Sequence, residues 1–211
     1  MKKFLQTIEN KLSNYYASSA RSKNAAQRVG WRDQRAQENR FLALAKLLPR
    51  KGSYSLNDLG CGYGDFLDFV SKQTTDKIQY RGYDISEEMI KTARIRHRGN
   101  KQMFSLIQTT SEMEPGDFTV ASGIFNLRAN LSNEMWLSYI LKTLVAINKK
   151  SVKGFAFNCL TKYSHSERMK SELYYADPLL LFDFCKKNFC QNIALLHDYD
   201  EFDFTILVKK K

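Results

Sequence analysis

The sequence predicts an α/β fold: a seven-stranded, doubly wound, mostly parallel sheet ending in an antiparallel hairpin, with an N-terminal helical arm. Three observations predict it. Ser55 to Val70, reading SLNDLGCGYGDFLDFV, passes from a β-like run through a glycine turn into an amphipathic pattern. Beyond it, β-rich runs alternate with helix-spaced ones, as in a parallel sheet with crossover helices. The chain then finishes on two β-rich runs, Asn192 to Tyr199 and Phe202 to Lys209, with only Asp200 and Glu201 between them. So short a gap allows a hairpin and no crossover.

The elements follow in order. Phe4, Leu5, Ile8 and Leu12 recur at helical spacing and predict a short amphipathic helix over the first dozen residues. Ser13 to Gly30 is polar and loop-like, with Tyr15 and Tyr16 as its large side chains. A second helix begins near Trp31, with Asp33 as a cap and Phe41, Leu42, Leu44, Ala45 and Leu48 as its apolar residues, and Pro49 stops it. Strands are expected at 55–60, 78–84, 102–107, 117–123 and 152–159, and helices at 64–73, 86–97, 133–149 and 178–188. Ser86 is placed to cap the helix that follows the second strand, with Glu87 and Glu88 favourable to its dipole. Asp177-Pro178 supplies another N-cap with proline in the first turn. The expected organisation is a basic helical arm, residues 1–51, and one compact unit, residues 52–211.

Glycines at 60, 62 and 64 let the backbone turn tightly and admit a ligand where a Cβ would obstruct it. The helix behind them offers unpaired N–H groups. The spacing G-x-G-x-G is not the G-x-G-x-x-G of pyrophosphate binders, and the Lys-Ser/Thr of a phosphate-binding P-loop is missing. The second strand ends in Asp84, where an acidic residue accepts hydrogen bonds from both hydroxyls of a ribose.

NDLGCGYGD resembles motif I of the class I S-adenosylmethionine-dependent methyltransferases, and YDISEEMIKTAR resembles their acidic second motif. The likeness is good over Ser55 to Ile124 and rests on strand order elsewhere. It implies a sheet of seven strands with one reversed near the end, and S-adenosylmethionine as cofactor. It also implies a cofactor site built from the turn residues Gly60, Cys61, Gly62 and Asp65, with Asp84 on the ribose and Ile85 and Met89 on the adenine face. Backbone groups at Gly60, Gly62 and Ser122 face the ligand's ammonium. Its carboxylate needs a cation, and Arg40 is the candidate, with Gln37 and Trp31 assisting, since bidentate pairing suits a carboxylate. The Asn/Asp-Pro-Pro-Tyr/Phe tetrad of adenine-N6 and glutamine methyltransferases is missing from Ala121 to Asn126, which argues against that subclass.

Methyl transfer from a sulfonium needs positioning above all, and a base only where the acceptor must lose a proton. His165, after the fifth strand, and His197, beside Asp198, are the candidate bases. Asn126 is the candidate for orienting the acceptor, and Tyr163, Tyr174 and Tyr175 could wall its pocket. The expected acceptor is a small molecule, methylated on oxygen or nitrogen. The first rival is an RNA methyltransferase that grips phosphates with the basic arm. The second is a non-catalytic binding module of the same shape.

Composition sets the remaining bounds. At 211 residues and 43% hydrophobic content the chain has the material for a sizeable core. No stretch approaches the ~20 apolar residues of a membrane span, and the first residues lack the apolar core of a secretion signal. Cys61, Cys159, Cys185 and Cys190 form no C-x-x-C pair, and with three scattered histidines no metal site is expected. Reduced thiols point to the cytoplasm. The net charge of +11 is lopsided: residues 1–51 carry +9 and residues 52–211 carry +2. Such an arm suits an anionic partner or a solvated helix face.

Overall fold

A computed structural model describes residues 7–13, 34–128, 130–199 and 201–211. The expected roles of Tyr15, Tyr16, Trp31 and Asp33 lie outside the described residues. Seven strands form one sheet: β1 (Tyr54–Leu59), β2 (Ile78–Asp84), β3 (Phe104–Leu106), β4 (Gly116–Ala121), β5 (Ser151–Leu160), β6 (Ile193–Leu196) and β7 (Asp203–Lys209). Their order across the sheet is β3-β2-β1-β4-β5-β7-β6. β1 to β5 pair in parallel, and β7 runs antiparallel to both β5 and β6. The expected hairpin is therefore present, with its second strand slotted between β5 and β6.

The helices among the described residues are α1 (7–13), α2 (Gln34–Ala45), α3 (Asp65–Ser71), α4 (Glu87–Arg96), α5 (Asn133–Lys150) and α6 (Pro178–Asn188). Local chemistry sets their ends. Ser86 Oγ accepts from Met89 N at the start of α4, and Asp177 accepts from Leu179 N and Leu180 N ahead of Pro178. None of the helices is long and apolar enough to cross a membrane, among the described residues.

Side chains alternate between the two faces of the strands, so each strand feeds two cores. On one face Leu56, Tyr80, Phe118, Val120 and Ala156 are buried with Phe41 and Leu44 of α2, Phe66 and Val70 of α3, and Ile90 of α4. On the other, Leu59, Tyr83, Ala121, Phe155 and Phe157 are buried with Trp136 and Ile140 of α5, Leu181 of α6, and Ile8 and Leu12 of α1. The third strand is shorter than the expected 102–107, because Arg98–Met103 takes a 3-10 turn before it. The crossover from β3 to β4 carries only the 3-10 turn Thr110–Glu112. There α1 fills the layer: Ile8 and Leu12 share a buried cluster with Ile107 and Met113.

Candidate cofactor site

The strand order reverses between β1 and β4, and ligands in open α/β sheets bind beyond the carboxyl ends of the strands at such a switch point. A cleft opens there, lined from β1, β2, the loop after β4 and the helices 7–13, Gln34–Ala45 and Asp65–Ser71. Its floor is the glycine turn. Gly60 N and Cys61 N both donate to Tyr83 O, at 2.7 and 3.1 Å, which ties the turn to the end of β2. Gly60, Gly62 and Gly64 have φ of 76°, 53° and 83°, a region that favours glycine. A Cβ on Gly60 would lie 2.2 Å from Ile124 Cγ2, so the turn packs closely against the loop after β4.

Asp84 is buried at the β2 end of the cleft. Its Oδ2 accepts from Gly62 N at 2.9 Å and its Oδ1 from Ser86 N at 2.8 Å. Each carboxylate oxygen has two lone pairs, so each keeps capacity for a hydroxyl donor. Burial raises its pKa above the usual carboxylate value, and the backbone donors at Ser86 and Gly62 work against that rise. Ile85 and Met89 line the wall beside it, and Ile107 adds a further apolar surface. Asp65, the first residue of α3, faces the cleft between Gln37 Nε2 at 3.3 Å and the guanidinium of Arg96. Ser122, Gly123 and Ile124 form the side contributed by β4.

The structure thus gathers Gly60, Cys61, Asp65, Asp84, Ile85, Met89 and Ser122 around one cleft, with Gly62 behind it as the donor that orients Asp84. Arg40 is not part of it. Its side chain is buried against β7, where Nε donates to Asp203, Nη1 to Ala36 O, and Nη2 lies 3.6 Å from Glu201. A guanidinium committed to two acidic side chains is a structural pin between α2 and β7, and the expected carboxylate contact is corrected accordingly. Gln37, one turn earlier, is the α2 side chain that reaches the cleft.

The expected acceptor residues also stand apart from the cleft lining. His165 is exposed, with its ring against Phe202, and His197 is exposed between Tyr163 and Phe204. Asn126 staples the loop after β4 to its neighbours: its Oδ1 accepts from Leu160 N at 3.1 Å and its carbonyl from Tyr174 N at 2.8 Å. Tyr174 is buried, Tyr163 is exposed, and Tyr175 accepts from Lys170 N. Asn126 therefore acts as a structural staple, and none of these residues lines the cleft.

Sequence reasoning passed over Glu9, Asp58, Thr110 and Tyr139, all of which line the cleft. Asp58 sits within β1, buried, and accepts from Tyr80 OH at 2.5 Å. Burial pushes its pKa up to about 7, with Tyr80 opposing. Glu9, on α1, is also pushed up to about 7 by burial, with Thr110 opposing. An acidic residue inside an apolar strand was the available signal for Asp58. No local pattern marks Glu9, because its neighbours in space are a hundred positions away in sequence.

Comparison with known proteins decides the family. A sequence family described as a methyltransferase domain matches residues 57–143. A Mycobacterium tuberculosis protein classed by name as a methyltransferase, Rv1506c, is 45% identical over 157 residues, covering 74% of this chain and 93% of its own length. The chain belongs to the class I S-adenosylmethionine-dependent methyltransferases. Structures of this methyltransferase fold agree. Magnesium protoporphyrin IX methyltransferase of Synechocystis PCC 6803, solved with S-adenosylhomocysteine, matches with a TM-score of 0.63 at 12% identity, covering 97% of this chain and 99% of that one. The N-methyltransferase NodS of Bradyrhizobium japonicum WM9, also with S-adenosylhomocysteine, matches with a TM-score of 0.65 at 12% identity, over 94% and 97%. At such identities the likeness is one of fold.

Proposed function

We propose that this methyltransferase transfers the methyl group of S-adenosylmethionine to an oxygen or nitrogen of a small-molecule acceptor, with the cofactor lying in the cleft between Gly60 and Asp84. One observation carries the choice of acceptor. Among the described residues, the cleft is lined by four carboxyl groups, Glu9, Asp58, Asp65 and Asp84, and by no Lys, Arg or His. Such a lining offers no cation to a phosphate backbone, which would demand Lys or Arg. Residues 52–211 are read as the methyltransferase unit and the basic arm, 1–51, as a cover that supplies Glu9, Gln37 and Phe41. The free thiols of Cys61, Cys159 and Cys185, all buried, support a cytoplasmic setting.

The residues present fit the ribose, base and ammonium of the cofactor, while for its carboxylate the described lining offers Gln37 and no cation. Asp84 takes the ribose hydroxyls on the lone pairs that Gly62 and Ser86 leave open. Ile85 and Met89 pack on the purine. Backbone groups at Gly60 and Ser122 meet the ammonium, whereas Gly62, expected beside them, stands behind the cleft and donates to Asp84. The cofactor supplies a methyl carbon already activated by positive sulfur, so this chain's share is alignment and exclusion of water.

Incubation with methyl-labelled cofactor and a fractionated extract tests the reading. Label is expected in a low-molecular-mass, nuclease-resistant fraction. Label in a nuclease-sensitive fraction, with transfer that weakens steeply as salt rises, would favour RNA instead.

A further inference from the structure

Glu9 has an oxygen that none of the described residues satisfies. It is 3% exposed, lines the cleft, and its Oε1 accepts from Thr110 Oγ1 at 3.4 Å, while Oε2 is buried with no hydrogen-bond partner among the described residues. A buried carboxylate oxygen without a donor is costly and calls for a partner, which a ligand lying in the cleft can supply.

Its place in the cleft says which part of the ligand it meets. Asp84 ends β2, and β3 lies outside β2, away from β1 and β4. Thr110 follows β3, so Glu9 stands on the far side of Asp84 from the glycine turn. Ser13, one turn further along α1, donates to Ile85 O at 3.1 Å and fixes the helix over that same wall. If Asp84 holds the ribose, the base extends toward Ile85, Met89 and Ile107, and its outer edge arrives under α1. Adenine presents one strong donor on that edge, the exocyclic amino group. We propose that Glu9 recognises the amino group of adenine, its Oε2 accepting an N–H hydrogen, so that α1 closes on the cofactor by reading its base. This rests on the cofactor placement proposed above.

The test uses the full chain and calorimetry with two ligands: S-adenosylhomocysteine, and its counterpart carrying hydrogen in place of the amino group. At pH 8, above the value of about 7 to which burial raises Glu9, loss of the amino group is expected to weaken wild-type binding about tenfold or more, as for a hydrogen bond to an ionised acceptor. In Glu9→Ala the penalty is expected to shrink to about threefold or less, the signature of a coupled pair. Glu9→Gln, which keeps the side-chain shape, is expected to fall between the two and serves if the alanine variant does not fold. An unchanged penalty in both variants, or no penalty in the wild type, would overturn the proposal. Asp84→Ala separates the two readings: it is expected to weaken both ligands equally. If it weakens neither, the cofactor placement itself fails, and the role of Glu9 in base recognition falls with it.

Discussion

The guanidinium of Arg40, in the helix before the first strand, is buried against the carboxylate of Asp203, which opens the last strand of the sheet 163 positions later. Two elements remote in sequence are thereby pinned at the carboxyl end of the sheet, beside the cleft. Removing one partner of a buried pair leaves the other charged and unpaired. Arg40→Ala is therefore expected to destabilise the fold by about 3–5 kcal/mol, measured by denaturant unfolding. Arg40→Lys is expected to recover only part of this, because an ammonium cannot reproduce the planar fork that meets Asp203 and Glu201. Unchanged stability together with lost cofactor affinity would return Arg40 to the binding site.

Asp84 makes the complementary case. It is held by two backbone donors and aimed into the cleft. With two ribose hydroxyls each worth about 1.5–3 kcal/mol to an ionised acceptor, Asp84→Ala is expected to weaken S-adenosylhomocysteine binding about a hundredfold or more. Titration calorimetry reads this directly.

Gly60 is constrained twice, by its positive φ and by Ile124. Gly60→Ala is expected to cost about 1–3 kcal/mol of stability through overpacking and backbone strain, and to lower cofactor affinity because the turn must shift. Pairing it with Ile124→Ala is expected to restore part of the stability by clearing the clash. Melting temperatures of the single and double variants check the prediction.

Glu9 and Asp58 make stability depend on pH. In the folded chain both carboxyls hold their protons up to about pH 7, whereas the unfolded chain releases them near 4.5 and 3.8. The contribution is present in full below the unfolded values and is lost as pH rises to about 7, at up to about 1.4 kcal/mol per pH unit for each group. Denaturant midpoints measured from pH 4 to 8 are expected to show this loss on top of the rest of the titration curve. Glu9→Gln and Asp58→Asn are each expected to flatten it. A profile unchanged by either substitution would show that the carboxyls titrate normally.

His165 and His197 are exposed and touch no cleft residue named above. Alanine at either position is expected to change stability by less than about 0.5 kcal/mol and to leave S-adenosylhomocysteine affinity unaltered. Asn126→Ala leaves Leu160 N without its acceptor and is expected to cost about 1–3 kcal/mol. Unfolding curves and calorimetry on the three variants distinguish surface histidines from the structural asparagine.

The sequence alone determined the layered architecture and which residues the glycine turn and the end of β2 bring to the cleft. Strand alternation, the 3.6-residue spacing of helices, glycine at three turn positions and the caps at Ser86 and Asp177 are all local, and local physics decides them. Asp84 was legible because it ends a strand next to a capped helix, and Ile85 and Met89 because they follow it directly. Tertiary structure decided what depends on approach across the chain. It slotted β7 between β5 and β6, turned Arg40 from a ligand contact into a pin on Asp203, left His165 and His197 at the surface, and brought Glu9 over Thr110. The reason is the same in each case: whether a charged side chain meets solvent, a counter-ion or a ligand depends on which distant residues burial places beside it, and no periodicity records that.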